Sequence, residues 1–371
     1  MIGNASGARK FLAEFWQKKP LLKRGALPQL AKSLDRKQMM ALACRDDVES
    51  RLVIYSRKNW QVEHGPFGKR ELGRLPARNW TLLVNGLEAV LPQARELQQQ
   101  FSFIPYARHD DVMASYAVPG GSVGPHFDSY DVFLVQGAGT RRWQTSRQRN
   151  LDLVAGAPLK ILRDFRPQRE LTVHAGDVLY LPPRYAHHGV ALDECITWSV
   201  GFRAPGRREI IERFLDFMRD RERVDAMYQD PDLKAQQHAG AIGKAMLEDV
   251  KATLASIRWT DADIERCLGE YLTEPRAGVV FNRARHITPR AFKKLLDDQG
   301  ACLALPTRML TSGNRIFING ESAAIPAGAA NIVRQFADNR YVPAPLRAQA
   351  TVLDLLYAWY CAGYIKSGLR P

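Results

Sequence analysis

Two short segments hold the residue types that could bind a redox-active metal. One is Gly124-Pro125-His126-Phe127-Asp128; the other is Tyr180-Leu181-Pro182-Pro183-Arg184-Tyr185-Ala186-His187-His188. Residues i and i+2 of a strand face the same side, so His126 and Asp128 converge. A histidine from the later segment would complete a set of two imidazoles and one carboxylate. These donors suit iron(II), and three ligands on one face leave positions open for a chelating cosubstrate and dioxygen. His-x-Asp alone arises by chance in many proteins. Followed about 60 residues later by Pro-Pro-x-x-x-His, with β-rich sequence between, it is far more specific. Adjacent strand residues point to opposite faces, so only one of His187 and His188 can be a ligand. His64, His109, His174, His238 and His286 have no such company and read as ordinary core or surface histidines.

The elements that must position these groups are strands. Val112–Val118 alternates and ends at Pro119-Gly120-Gly121, and Asp131–Gln136 is followed by Gly137-Ala138-Gly139. Leu171–His174 turns at Ala175-Gly176 into Asp177–Leu181, which stops at Pro182-Pro183, and Ile196–Phe202 comes last. Short strands with turn signals and no intervening helices predict a jelly-roll-like double-stranded β-helix. Upstream, a short helix precedes Lys18-Lys19-Pro20, strand-like segments lie between Arg45 and Arg74, and Trp80–Val84 is another strand candidate. Asn85–Phe101 reads as helix, with Pro92 marking a start or kink. Past Pro205 the period becomes helical: Arg208–Arg223, then Asp230–Ile257 with Pro231 near its start, then Asp261–Leu272. From about Thr288 the order is helix, hairpin, helix, helix, a winged-helix-like plan with the hairpin turning at Ser312-Gly313-Asn314. The expected fold is α+β, with domains at 1–205 (catalytic β-core with N-terminal α/β elements), 206–275 (helical, a candidate dimerisation region) and 276–371 (winged-helix-like).

Composition excludes several classes. With 46% hydrophobic and 25% charged residues, the 371-residue chain is neither disordered nor a rod. No window approaches the roughly 18 apolar residues of a membrane span, and the N-terminus lacks the apolar core of a secretory signal. A cytoplasmic protein with no membrane partner is expected. Five scattered cysteines form no C-x-x-C pair and resemble neither a disulfide framework nor a zinc site. The net charge of +14 speeds encounter with polyanions such as RNA-rich particles. Its basic residues are scattered, and the C-terminal helix around Arg334 offers few side chains able to read base edges, so no specific DNA binding is expected.

The sequence resembles the JmjC-type 2-oxoglutarate oxygenases and, within them, the bacterial ribosomal oxygenases that hydroxylate an arginine of large-subunit ribosomal protein number sixteen. The shared stretches include Phe15–Pro20, Gly65-Pro66-Phe67, Ser115–Phe133, Gly139–Trp143 and Ser199–Pro205. They cover about residues 10 to 240 and, more loosely, the remainder. The resemblance implies that His187 is the distal ligand, since the pattern Pro-Pro-x-aromatic-x-His falls on Pro182–His187. A glycine is common in the family where this chain has Arg184. It further implies that Arg141, two residues before Trp143, binds the far carboxylate of 2-oxoglutarate, and that Ser115 is a hydroxyl partner to the same cosubstrate. An Arg suits that task because its planar guanidinium grips a carboxylate bidentately.

The implied activity is iron(II)-, 2-oxoglutarate- and dioxygen-dependent hydroxylation of an arginine on a large-subunit ribosomal protein, and the amphipathic helices past Pro205 make a homodimer the expected form. A histidine hydroxylase or lysine demethylase is the alternative within oxygenases. A non-catalytic cupin-like module that binds RNA or a ribosomal precursor is the alternative outside them. A substrate guanidinium calls for acidic or aromatic neighbours, and Tyr130, Asp131 and Asp111 lie near the metal strands in sequence.

Overall fold

The computed structural model describes residues 5–29, 33–57, 59–203, 205–221 and 227–368. They divide into two compact units, one of residues 1–204, 275–307 and 326–371, the other of 205–274 and 308–325.

The first unit runs α1 (Ala5–Glu14), β1 (Leu21–Lys23), α2 (Arg36–Ala43), β2 (Ser50–Ser56), β3 (Asn59–His64), α3 (Lys69–Leu72), β4 (Trp80–Val84) and α4 (Pro92–Gln99). Then come β5 (His109–Ala117), β6 (Asp131–Ala138), β7 (Thr140–Ser146), β8 (Arg169–His174), β9 (Val178–Leu181), β10 (Ala186–Ala191) and β11 (Cys195–Phe202). The expected helix over Asn85–Phe101 is shorter. A 3-10 turn covers Leu87–Ala89, and α4 starts at Pro92, whose missing N–H costs nothing in the first helical turn.

The strands form an eight-stranded sheet ordered β1-β9-β6-β11-β5-β4-β2-β3 and a three-stranded sheet ordered β10-β7-β8, with antiparallel neighbours throughout. This is the double-stranded β-helix. Directly opposed residues share a face, so register sorts the side chains. One face of the large sheet carries Val112, Ala114 and Tyr116 opposite Val200, Trp198 and Ile196. These join Phe11, Met39 and Leu97 of the helices, and Phe101 just past α4, in one buried cluster. The other face turns Leu134 and Leu179 toward Trp143 and Val173 of the small sheet. That inner face also carries Ser115, Thr197 and Gln136 in register across three strands.

The second unit begins with α5 (Arg207–Arg221), α6 (Lys244–Ser256) and α7 (Asp261–Thr273). The helix expected from Asp230 does not form there. Pro231 starts only a single turn, Leu233 N–H to the Asp230 carbonyl at 3.0 Å, and residues 227–243 stay irregular. Gly240 and Gly243 each weaken a helix, so α6 waits until Lys244. α7 begins at Thr260, whose N–H donates to Asp263 at 2.8 Å in a capping box.

Returning to the first unit, the chain forms α8 (Pro289–Gln299) and β12 (Ala301–Leu303). The second unit is completed by β13 (Met309–Ser312), β14 (Arg315–Ile318) and β15 (Glu321–Ala324), a hairpin carrying one strand more than expected. The first unit then ends with α9 (Ala330–Asn339), β16 (Tyr341–Val342), α10 (Ala350–Ala362) and β17 (Ile365–Ser367). Among the described residues no helix is long and apolar enough to cross a membrane.

Gly189 of β10 lies opposite Trp143 of β7, and a Cβ there would meet the indole ring at 2.6 Å. The ring is rigid and buried, so it cannot yield without moving its neighbours. Gly189→Ala should therefore destabilise the fold by about 1–3 kcal/mol. The check is the urea midpoint at unchanged slope; wild-type stability would mean that the small sheet yields freely around Trp143.

Candidate metal centre and active site

His126 is not on a full strand as expected. It sits in an extended loop that touches β10 by one isolated bridge, His126 N–H to the His187 carbonyl at 2.9 Å and His187 N–H to the His126 carbonyl at 2.8 Å. Asp128 comes two residues later, and its carbonyl accepts from the Arg184 N–H at 2.6 Å. The ligand atoms of His126, Asp128 and His187 all lie within 4.8 Å of one another.

The hydrogen bonds set the tautomers. Nδ1 of His126 donates to the Gly124 carbonyl and Nδ1 of His187 to the Tyr185 carbonyl, each at 2.9 Å. Nε2 of each ring is thereby left as the lone-pair donor, and His187 Nε2 stands 3.6 Å from Asp128 Oδ2. Two imidazoles and a carboxylate fit a divalent first-row metal such as iron(II). His188 behaves differently. It opposes Gln144 on the outer face of the small sheet and packs edge-on against Phe165, whereas His187 shares the inner face with Thr145.

Arg184 occupies the left-handed region at φ 60°, a conformation that glycine adopts without strain. Its guanidinium lies over the Phe127 ring, 5.9 Å from the centroid, so the side chain compensates part of the backbone cost. Gly124, also at positive φ, leaves room for Trp60 and Ile161, which a Cβ would strike at under 3 Å.

Arg141 reaches the interior from β7 on the face of Trp143 and Thr145. It is 6% exposed; its guanidinium donates to Cys195 Sγ at 3.6 Å, and its Nε has no partner. No carboxylate pairs with it among the described residues. A buried guanidinium so placed is costly until an anion reaches it. Ser115 is buried rather than solvent-facing. Its hydroxyl donates to the Thr197 carbonyl at 3.4 Å, and Thr197 Oγ1 donates to Gln136 at 2.9 Å.

The three acidic and aromatic candidates separate. Asp131 lies on the outer face, fully buried, accepting from Tyr180 at 2.6 Å and Gln17 at 2.9 Å, with Arg108 at 3.6 Å. It holds helix-side packing together and does not face the metal candidates. Asp111 and Tyr130 converge on Gly201, where a Cβ would stand 3.3 Å from Asp111 Oδ1 and 3.6 Å from the Tyr130 ring. Burial pushes Asp111 up to about 6 even though Arg276 stands beside it. Burial, with Asp128 and Asp111 nearby, likewise raises the Tyr130 hydroxyl. Arg276 donates to Asp110 at 2.9 Å and pairs with Asp111 at 3.3 Å. Sequence reasoning missed it, because nothing local to residue 276 marks it. Thr197 and Gln136 were also missed, although strand alternation from Ser199 and Leu134 pointed to them.

The family model described as JmjC domain matches residues 96–210, and one described as ROXA-like winged helix matches residues 256–366. The Escherichia coli (strain K12) "Ribosomal protein uL16 3-hydroxylase" is 31% identical over 95% of this chain and 97% of its own. The chain belongs to the bacterial ribosomal oxygenases of the JmjC type. Haemophilus influenzae has a relative named "Probable ribosomal oxygenase", 33% identical over 84% of this chain and 80% of its own. A solved structure of the Escherichia coli ribosomal oxygenase YcfD with cobalt and 2-oxoglutarate is 29% identical, covers 97% of both chains and gives a TM-score of 0.82. Another, with cobalt and succinic acid, gives 0.81 at the same identity and coverage.

Burial in this ribosomal oxygenase also sets a pH dependence. His109, His187 and His188 are each pushed down to about 4, chiefly by burial. Between the unfolded histidine value and about 4, the unfolded chain binds protons that the folded chain refuses, so stability falls as pH falls. Asp111, raised to about 6, binds its proton earlier in the folded state and opposes one of the three. The metal-free protein should therefore lose roughly 2–3 kcal/mol per pH unit between about pH 6 and 5. Urea titrations across that range measure it, and His109→Gln should remove about one proton from the slope.

Proposed function

We propose that this chain is an iron(II)- and 2-oxoglutarate-dependent protein hydroxylase acting on an arginine side chain of large-subunit ribosomal protein uL16. The observation that carries the reading is the convergence of the ligand atoms of His126, Asp128 and His187 within 4.8 Å, with both Nδ1 atoms held by backbone carbonyls. The relatives' names and the cobalt and 2-oxoglutarate of the solved YcfD structure support it. Iron(II) held there would use dioxygen to convert 2-oxoglutarate to succinate and carbon dioxide while a substrate C–H becomes C–OH.

The chain's own residues supply orientation. His126, Asp128 and His187 hold the metal, fixed by the bridge between loop and strand. Arg141 binds the far carboxylate of 2-oxoglutarate through the guanidinium that otherwise lacks an anion, and Ser115 contributes a hydroxyl from the facing sheet. Asp111 and Tyr130 receive the substrate's guanidinium, a carboxylate and an aromatic ring suited to a cation. That acidic, aromatic corner favours an arginyl substrate over the neutral imidazole of a histidine hydroxylase.

The setting is cytoplasmic, where ribosomal proteins are met, and the positive net charge of +14 speeds encounter with RNA-rich particles. The protein pairs as a homodimer through the second unit. Ile211 and Leu215 of α5 and Leu247, Val250 and Leu254 of α6 are exposed, more apolar surface than a monomeric unit usually leaves in water.

Incubating the full-length protein with iron(II), 2-oxoglutarate and a uL16 peptide should add one oxygen to an arginine, read by fragmentation mass spectrometry. Addition at another residue would overturn the substrate assignment. His126→Ala, Asp128→Ala and His187→Ala should abolish both turnover and manganese(II) binding measured by calorimetry, whereas His188→Ala should retain binding. Arg141→Ala should raise the 2-oxoglutarate requirement roughly ten- to hundredfold with little change for peptide. An unchanged requirement would assign the carboxylate to another residue.

A further inference from the structure

Arg276 stands apart in sequence from every strand of the β-helix, in the irregular segment between α7 and α8, yet it reaches the acids of β5. Its two ion pairs are not equivalent. One amino group donates to Asp110 Oδ1 at 2.9 Å, and the other stands 3.3 Å from Asp111 Oδ2. The remaining oxygen of Asp111, Oδ1, is the one that faces Gly201. Gly201 keeps the space between Oδ1 and the Tyr130 ring open, because any Cβ would stand within 3.6 Å of both.

We propose that Arg276 is a positioning residue for substrate recognition: it holds one oxygen of Asp111 so that the other is presented, ionised, to the guanidinium of the incoming arginine. This rests on the reading of Asp111 and Tyr130 as the substrate's cation site. Three carboxylates, Glu88, Asp110 and Asp111, act on Arg276. Glu88 is itself fixed by the Val112 N–H at 2.8 Å. Arg276 engages Asp111 through Oδ2, which leaves Oδ1 turned to the Gly201 side for a second cation. The charge of Arg276 opposes the repulsion from Glu88 and Asp110, so that Asp111 stays ionised in a half-buried place.

The groups facing Asp111 are Glu88 from the 3-10 turn, Asp110 from its own strand, Tyr130 from the loop after Asp128, and Arg276. Of these only Arg276 favours the charged carboxylate. Burial already holds Asp111 near 6 in its presence. Without that cation the carboxyl takes up its proton at higher pH and loses its charge at neutrality.

The test compares wild type, Arg276→Gln and Arg276→Lys in full-length protein, using the uL16 peptide for steady-state kinetics and for calorimetric binding. Arg276→Gln should raise the peptide KM and Kd about tenfold near pH 7, with kcat and the 2-oxoglutarate KM within about twofold. The defect should shrink as pH rises from about 6.5 to about 8.5, as Asp111 ionises again. Arg276→Lys should keep peptide affinity within about threefold and a wild-type pH profile. An unchanged peptide KM in Arg276→Gln overturns the proposal. So does a parallel loss of kcat and both KM values with no recovery at high pH, which is the signature of a merely structural role. Should Arg276→Gln fail to fold, Arg276→Lys decides: a pH-independent loss of peptide affinity greater than about tenfold would refute the positioning role. A wild-type protein that neither binds nor hydroxylates the peptide would sink the functional reading itself, a result distinct from these.

Discussion

The two backbone hydrogen bonds between His126 and His187 are the constraint on which the site depends. They are ordinary N–H to carbonyl bonds, and each contributes only about 1 kcal/mol net. Their value is geometric. They tie the loop bearing His126 to the strand bearing His187, the proposed third ligand, and so fix the separation of the two imidazoles. The neighbouring bonds extend the same logic outward. Gly124 and Tyr185 offer carbonyls to the two Nδ1 atoms, two residues before each histidine, and so choose the tautomer. Arg184 then clips the Asp128 carbonyl from the turn that leads into β10. A strained residue at φ 60° is tolerated there because the turn must bring that N–H to that carbonyl.

The walls of the site are set by strand period. Asp111, Met113 and Ser115 alternate along β5, while Arg141, Trp143 and Thr145 alternate along β7, and antiparallel register places both sets in the space between the sheets. The intervening residues face outward into helices or solvent. One fold-level requirement, that each sheet bury one face, therefore also decides that His187 rather than His188 and Asp111 rather than Asp131 can serve the interior. Asp131 shows the other outcome. Sequence proximity made it a candidate, but its place in register turned it to the helical side, where Tyr180 and Gln17 satisfy it.

The same period decides how much of the molecule was legible in the sequence. β5, β6, β8, β9 and β11 run into nearby Gly or Pro turn signals, so the β-helix was legible, and with it the convergence of His126 and Asp128; β7 and β10 lie outside the strands that the sequence marks. The choice of His187 needed either the family pattern or the register of β10 against β7, since two adjacent histidines carry no local sign of which face is inner. The helix expected from Asp230 failed because a capping pair and a proline signal a start but not continuation, and Gly240 and Gly243 break the stretch up to Lys244. Arg276 was invisible for a different reason. It lies 165 residues from Asp111, and no periodicity links an irregular segment to a distant strand.

Two arginines frame the interior with opposite electrostatic logic. Arg141 is buried with no carboxylate beside it among the described residues, and its Nε has no partner there. Such a group persists in a folded core only where the surrounding structure outweighs its desolvation cost, and an anion binding there recovers part of that cost. Arg276 is the reverse, a guanidinium set between Asp110 and Asp111, which leaves one oxygen of Asp111 turned toward Gly201. An interior arranged in this way discriminates by sign. An anionic small molecule is drawn toward Arg141, a cationic side chain toward Asp111, and each would meet repulsion at the other's place. His187, a proposed metal ligand, stands on the same inner face, so opposite charges would bring the two reactants of the proposed reaction to one centre. Reversing either charge would cost more than one interaction, because it would also remove the barrier against binding in the wrong orientation.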